Sequence, residues 1–218
     1  MKNLPVYLLS ISAFLLCTSC DLLKKDDTSK LTGGDSPIGA VGTTVSVSGA
    51  AIAGVSNFTG TVATQQAGVS TYNAQFTCTN TVIKNLALNL PGIVINGNTV
   101  TASNIQIKNA IDGIELKSGP SAGVLVNYNS SVGDTYPIGD TGAVRTVVSK
   151  TEVDDYPYGM MYIKVVKVEE VPNYLKSATG IRKITYIANH KFGLVGFMVT
   201  LDDGSSVTFP VSASAQNN

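Results

Sequence analysis

The sequence predicts an all-β fold in which antiparallel β-sandwich-like modules follow a flexible tether. Three observations support this fold class. Residues 36–83 carry no charged side chain and are rich in Thr, Ser, Gly, Val and Asn, which favours strands and turns over helices. Apolar and polar residues alternate with a period of two in short runs between residues 86 and 126. Asp202-Asp203-Gly204 joins two apolar runs near the C-terminus, which is a strong hairpin signal.

The first predicted module covers residues 44–132. It begins with strands around Val45 and Val47, around Val62, and over residues 72–79. Short alternating runs follow, bounded by turn residues such as Pro91-Gly92, and this succession of short strands and turns is typical of a sandwich or barrel. The alternating runs are Leu86/Leu88/Leu90, Ile93/Ile95, Ile105/Ile107, Ile114/Leu116 and Val124/Val126.

A short parallel β-helix in residues 80–132 is the alternative fold for this stretch. Residues 92–98, 104–109 and 113–116 resemble rungs in which inward aliphatic residues alternate with outward polar residues. A solenoid needs several stacked repeats with caps at both ends, and the spacing here is irregular. The antiparallel arrangement is therefore preferred.

A Gly- and Asp-rich segment at residues 133–142 separates the first module from a C-terminal antiparallel module at residues 141–218. The two modules can also form one domain. Pro210 lacks the N–H that a sheet ladder needs, so its strand is expected at an edge or paired on one side only. Residues 171–176 are expected to make a helical turn. The predicted strands are Val144–Ser149, Met160–Val168, Gly180–Ala188, Leu194–Leu201 and Ser205–Val211.

Residues 1–19 have the layout of a bacterial export signal. Lys2 supplies a positive charge, and residues 8–16 form an apolar core that is too short to span a bilayer with ease. Cys17-Thr18-Ser19-Cys20 follows, and small residues before a cysteine resemble the lipobox of bacterial lipoproteins. Cys17 stands where the common lipobox has Leu, and this looser pattern is similar to that of spirochaetal-type outer-membrane lipoproteins.

The resemblance covers only the signal and the segment behind it. It implies cleavage before Cys20, acylation of the Cys20 thiol, for example with palmitate, and a lipid-anchored location in the cell envelope, at the outer membrane. Residues 20–43 mix charges with Gly, Ser and Pro and are expected to form a flexible tether. Lys24-Lys25-Asp26-Asp27 either resembles a surface-sorting signal or is a solvated spacer, so surface exposure stays open.

The net charge and the cysteine content argue against a nucleic-acid partner and against an internal disulfide. The formal net charge is +0, so we expect no nucleic-acid partner, because binding to phosphates needs a basic surface. Once Cys17 is cleaved off and Cys20 is acylated, Cys78 is the remaining cysteine, and no internal disulfide can form. A lone thiol among strand-forming residues is expected to be buried as a small apolar group.

Candidate catalytic and metal-binding residues are few. The single histidine, His190, lies between two predicted strands without a hydrolase or zinc signature, and it is expected in a surface turn. Asp112, Asp134 and Asp140 lie in Gly-rich turns and could contribute to an irregular calcium site, but aspartates in such turns usually bond their own backbone. We therefore expect no catalysis, no cofactor and no metal.

Tyrosines supply the best candidate for a binding patch. Tyr156 and Tyr158 flank Pro157 directly after Asp154-Asp155, so this loop could present apolar rings with polar tips to a protein or glycan ligand. The same tyrosines could instead cap the end of a core. The expected function is a surface-displayed binding or adhesion module. A periplasm-facing structural or envelope-assembly lipoprotein is the alternative, and a carbohydrate-active enzyme would follow if the fold were a β-helix.

Overall fold

A computed structural model describes residues 29–47, 53–175 and 180–215. The predicted signal peptide, the lipidation site Cys20 and the charged residues 24–27 lie outside the described residues. Within them, strands dominate. The elements are β1 (Thr44–Val47), β2 (Val55–Gln66), β3 (Val69–Cys78), α1 (Thr81–Ala87), β4 (Ile93–Asn96), β5 (Thr99–Ala110), β6 (Gly113–Leu116), β7 (Gly123–Asn127), β8 (Thr135–Pro137), β9 (Val144–Lys150), β10 (Tyr156–Tyr158), β11 (Met161–Ile163), β12 (Val166–Glu170), β13 (Ile181–Asn189), β14 (Gly193–Leu201) and β15 (Ser206–Ser214).

Thirteen of these strands form a single sheet, in the order β7-β6-β5-β3-β2-β1-β15-β14-β13-β12-β9-β8, with β4 paired to β5. All strand pairs among the described residues are antiparallel. The predicted all-β class is confirmed, whereas the alternative parallel β-helix in residues 80–132 is wrong. The two halves that the sequence separates into modules share this one sheet.

Strand β15 joins the two halves by changing partners at its proline. Its first residues pair with β14 as far as Pro210, opposite Gly196, and from Val211 onward it pairs with β1. The expectation of an edge strand, or of pairing on one side only, is wrong for the strand as a whole, because β15 lies between β14 and β1 in the sheet. A residue without an N–H is suited to the point at which the partner changes.

The long sheet curls until its end strands β7 and β8 approach each other. Just beyond these strands, the Gly139 N–H donates to Ala122 O at 2.9 Å. Glycine is required at position 123, where φ is +126° and an added Cβ would lie 2.7 Å from Pro137 O. The result is a nearly closed sheet with an interior, and we call the junction of β7 with β8 and β9 the seam.

Three apolar clusters stabilise this arrangement. The first spans the seam and joins inward side chains of β5–β7 to those of β8, β9 and β12. The second lies at the end of the sheet covered by α1, around Cys78, Val100 and Phe209. The third lies on the outer face, where the β10–β11 hairpin covers Ile187 and Val195. Cys78 is fully buried in the second cluster, as the sequence predicts.

Helix α1 replaces a predicted strand, because the Leu86/Leu88/Leu90 alternation does not form one. The Asn80 side chain caps the helix by accepting hydrogen bonds from the Val82 and Ile83 N–H groups. Val82, Ile83 and Leu86 then pack together against the second cluster, a spacing that suits a helical face. A helical turn is predicted at residues 171–176, of which the structure describes 171–175. These residues form a turn in which the Leu175 N–H donates to Pro172 O at 3.0 Å.

Residues 29–43 differ from the flexible tether that their composition predicts, because they pack on the sheet. Leu31 is buried in the first cluster, and Asp35 forms a bridge with Ala110. A short 3-10 helix, Pro37–Gly39, follows and leads to the fully buried Thr43. We call residues 29–43 the strap. Neither helix in the described part of the chain has the length and apolar character needed to cross a lipid bilayer.

Candidate ligand-binding cavity

The curled sheet lines a partly open cavity of about 300 Å³. Inward residues of β1, β2 and β3 line one side, and those of β5, β6, β7, β14 and β15 line the rest. Along β3 the lining residues are Tyr72, Ala74 and Phe76, which lie two positions apart and therefore share one face of the strand. The cavity thus follows from the same alternation that builds the sheet.

The lining is aliphatic and aromatic almost throughout. Phe58 and Phe76 place their ring centroids 5.8 Å apart on one wall, and Phe197 on another wall stacks on Phe209 at 4.7 Å. No Asp, Glu, Lys or Arg is among the lining residues that the structure describes. The interior is therefore an apolar space without a fixed charge.

The strap closes one end of the cavity. Ile38 of its 3-10 helix lines the cavity, and Pro37 precedes it with a backbone angle already suited to a helical turn. Two hydrogen bonds fasten this turn to the sheet, Ser36 N–H to Asn109 O at 2.9 Å and Ser70 Oγ to Gly39 O at 2.7 Å. The strap is thus part of the cavity wall.

The opposite end is covered by α1 and the residues that follow it. Ala87 and Leu90 line the cavity there, together with Ile93 at the start of β4. Strands β3 and β5 run antiparallel between the two ends, so Tyr72 pairs with Ile105 near the strap and Phe76 pairs with Val100 near α1. The cavity is therefore elongated along these strands, with a different cover at each end.

Tyr72 and Asn109 are the polar side chains in the lining, and both lie at the strap end. The Asn109 amide Nδ2 donates to the Tyr72 hydroxyl at 2.8 Å, and that hydroxyl reaches Ile38 O at 3.4 Å. Burial raises the pKa of Tyr72 to about 12, an effect that the Asn109 hydrogen bond partly offsets. The pair is therefore uncharged at neutral pH and offers hydrogen bonds only.

A second polar group, away from the cavity lining, fastens the seam. Arg145 of β9 and Glu170 of β12 are 0% and 1% exposed, and Arg145 Nε donates to Glu170 Oε2 at 2.6 Å. The guanidinium also donates to Val124 O in β7 and to Ser121 O just before β7. Tyr174 and Tyr186 donate to the Glu170 carboxylate. This network ties the end strand β7 to β9 and β12 across the seam.

The predicted binding residues Asp154, Asp155, Tyr156 and Tyr158 lie outside the cavity. The two aspartates are exposed, whereas both tyrosines are half-buried in the hairpin that covers the third cluster. The Tyr158 ring contacts the Phe192 ring, with centroids 4.9 Å apart, and Phe192 also lines the cavity. Recognition of a partner by this patch stays a prediction, although the hairpin lies directly behind one cavity residue.

The other residues that the sequence analysis singles out are at the surface or in turns. His190 is exposed in the β13–β14 turn, as predicted. The Asp134 carboxylate accepts the Ser131 N–H, and the Asp112 carboxylate accepts the N–H groups of Thr32 and Gly33. Among the described residues, no group of three or more His, Cys, Asp or Glu side chains is placed to hold a metal ion.

The cavity is not evident from the sequence, although the alternation of apolar residues marks part of its lining. Val45 and Val47, and likewise Ile105 and Ile107, mark the inward faces of their strands. A scan against protein-family models, a search of curated proteins and a search of solved structures each find no match to this chain. The cavity is accordingly interpreted from its own geometry.

Proposed function

We propose that this protein is a binding protein that takes a small apolar molecule into the cavity. The observation that carries this proposal is the combination of a volume of about 300 Å³ with a lining that has aromatic and aliphatic side chains and no charged group. Pockets for small molecules have this character, with mostly apolar walls and few polar groups. Sheets that curl around an interior are also a known scaffold for holding a ligand inside.

The driving force would be removal of apolar surface from water. Each buried methylene group contributes about 0.8 kcal/mol, and aromatic walls such as Phe58 and Phe197 add favourable contact with a flat or chain-like ligand. The strands on which these side chains lie belong to the 13-stranded sheet, so the walls are held before a ligand arrives. Preorganised walls reduce the entropy that binding costs.

Lipid anchoring through Cys20 is part of the same proposal, and its support is the lipobox-like Cys17-Thr18-Ser19-Cys20. An anchored protein of this kind would hold its cavity close to a membrane, where apolar molecules are concentrated. This refines the expected surface-displayed binding module by giving it an apolar small-molecule ligand. The periplasm-facing structural or assembly role remains the alternative, and it would not require the cavity to be occupied.

The test is binding of N-phenyl-1-naphthylamine, an uncharged dye that fluoresces in apolar surroundings. The full chain would carry Cys20→Ala, so that no acyl group competes for the cavity. We expect saturable fluorescence that Ala74→Phe abolishes, because Ala74 lines the cavity and a ring there would occupy its space. Gln75→Phe is the matched control, since Gln75 is exposed on the outer face of the same strand. Saturable binding that Ala74→Phe leaves unchanged would contradict the proposal, as would the absence of saturable binding.

A further inference from the structure

We propose that the natural ligand is an uncharged amphiphile, an apolar chain or ring system with one hydroxyl group, whose hydroxyl binds between Tyr72 and Asn109. This inference rests on the proposed function and specifies its ligand class. Its basis is the placement of the polar pair, because these two side chains share one end of an otherwise apolar cavity. A ligand that fits this lining has one polar end and an apolar remainder.

The polar pair has hydrogen-bonding capacity beyond the bonds it makes within the protein. Asn109 has two amide hydrogens and an acceptor oxygen, and among the described residues its side chain makes one hydrogen bond, from Nδ2 to the Tyr72 hydroxyl at 2.8 Å. Within the described part of the chain, the Tyr72 hydroxyl donates onward to Ile38 O alone, at the long distance of 3.4 Å. A ligand hydroxyl both donates and accepts, so it can pair with an amide oxygen and with a phenol together.

The absence of charge in the described lining argues against ionised ligands. A ligand carboxylate that moved from water to a position beside Tyr72 would find no Lys or Arg among the described lining residues to pair with. A ligand ammonium group would likewise find no Asp or Glu there. Burying an unpaired charge is far more costly than burying a hydroxyl that keeps its hydrogen bonds. Tyr72 cannot supply the negative charge, because burial raises its pKa to about 12. The cavity should therefore select alcohols over fatty acids and amines.

The two covers give the ligand a direction. The polar pair lies beneath Ile38 of the strap, which is fastened through Ser36 and Ser70. The apolar wall extends from there along β3 and β5 to Ala87 and Leu90 beside α1. The hydroxyl would lie at the strap end, and the apolar remainder would point toward α1.

The test compares three competitors of equal chain length against bound N-phenyl-1-naphthylamine, namely 1-decanol, decanoate and decylamine at neutral pH. The protein is again the full chain carrying Cys20→Ala. Decanol should displace the dye at a concentration at least about tenfold below that of either charged competitor, the scale expected when an ionised group must be buried without a partner.

Two variants connect this preference to the polar pair. Tyr72→Phe removes one oxygen, and Asn109→Leu removes the amide at similar size. Either change should weaken decanol about fivefold to tenfold while dye affinity stays within about twofold, because the dye is bound mainly by apolar contact. Tyr162→Phe is the matched control, since the Tyr162 side chain is 65% exposed on the hairpin. Thermal unfolding of each variant verifies that it folds, and Tyr72→Phe serves alone if Asn109→Leu is unfolded.

The outcomes separate the two proposals. Dye binding that Ala74→Phe abolishes, with decanoate or decylamine competing as well as decanol, would overturn the ligand class and leave the proposed function standing. An unchanged decanol affinity in a folded Tyr72→Phe variant would also overturn the proposed ligand class. Absence of saturable dye binding would remove both proposals, whereas selective competition by decanol that is lost in Tyr72→Phe supports both.

Discussion

At the scale of single residues, Arg145 and Glu170 have the least contact with water of the charged groups that the structure describes, at 0% and 1% exposure. Such a pair is retained at low cost only when its remaining hydrogen-bonding groups are satisfied. Here two backbone carbonyls accept from the guanidinium, and two tyrosines donate to the carboxylate. Burial, together with the nearby Glu170 charge, raises the pKa of Tyr186. The Tyr186 hydroxyl therefore stays protonated and remains a hydrogen-bond donor.

Replacement of Glu170 by Gln should therefore destabilise the protein strongly. The change keeps the shape of the side chain but leaves the Arg145 charge buried without a counter-charge, which costs about 3 kcal/mol or more. Glu169→Gln is the matched control, because the neighbouring Glu169–Lys183 pair is 28% and 33% exposed and such pairs contribute about 1 kcal/mol or less. Urea unfolding followed by circular dichroism measures both. An equal loss in the free energy of unfolding in the two variants would show that the buried Arg145–Glu170 pair stabilises the protein no more than the partly exposed pair does.

At the scale of elements, the β10–β11 hairpin has two different faces. Tyr156 and Tyr158 pack inward on the third cluster, while Tyr162, which pairs with Pro157, lies on the opposite, exposed face. The inward face lies behind the cavity, because Tyr158 contacts the lining residue Phe192. The exposed Asp154 and Asp155 precede this face, and recognition of a protein or glycan ligand at this surface stays a prediction.

Tyr158→Ala should affect stability and ligand binding together. It removes an aromatic pair and its buried area, a loss of about 2 kcal/mol, and it leaves Phe192 free to move away from the cavity wall. Tyr162→Ala on the same hairpin should change neither property, since the side chain is 65% exposed. Urea unfolding and dye titration would be run on both variants. A Tyr158→Ala protein with wild-type dye affinity would show that the hairpin does not support the cavity.

At the scale of the whole molecule, the strap and α1 pack on the same sheet and cover different ends of its cavity. The predicted lipid would attach at Cys20, ahead of these described residues in the chain. Anchoring and folding are therefore expected to be separable properties.

Cys20→Ala should release the protein from its membrane or mislocalise it, without altering its fold. The cysteine is the proposed acylation site, and several acyl chains are needed for lasting attachment. Detergent-phase partitioning and mass spectrometry of the N-terminal peptide test the anchor, and far-UV circular dichroism tests the fold. Lipidation would be contradicted if the protein partitions into the aqueous phase and its N-terminus is an unmodified residue other than Cys20.

Much of this architecture could be predicted from alternation alone. Strands containing Ile93/Ile95, Ile105/Ile107 and Val124/Val126 are present where the pattern indicates them. Alternation was misleading at Leu86/Leu88/Leu90, since leucines two apart in a short segment do not distinguish a strand from a helix, and the Asn80 cap together with packing on the second cluster decided for the helix. The strap was missed because two apolar anchors, Leu31 and Ile38, lie among Gly and Ser residues.

The candidate site was less accessible to prediction, for a physical reason. An inward valine looks the same in a sequence whether it contacts a core or a cavity, because both need apolar side chains on the inner face. The polar pair Tyr72 and Asn109 is brought together by the pairing of β3 with β5, from positions 37 residues apart. Arg145 and Glu170 meet in the same way, across the β9–β12 pairing.

The change of partner in β15 has a consequence for how the chain reaches this structure. Strand β1, near the start of the described chain, pairs with the last strand, Thr44 lying opposite Ser214. The junction between β1 and β15 can therefore form only after the chain has been made as far as residue 214, and such distant pairings carry a high loop-closure entropy that slows folding. A sheet that stays open until then delays the final fold, which would suit the export that residues 1–19 are predicted to direct.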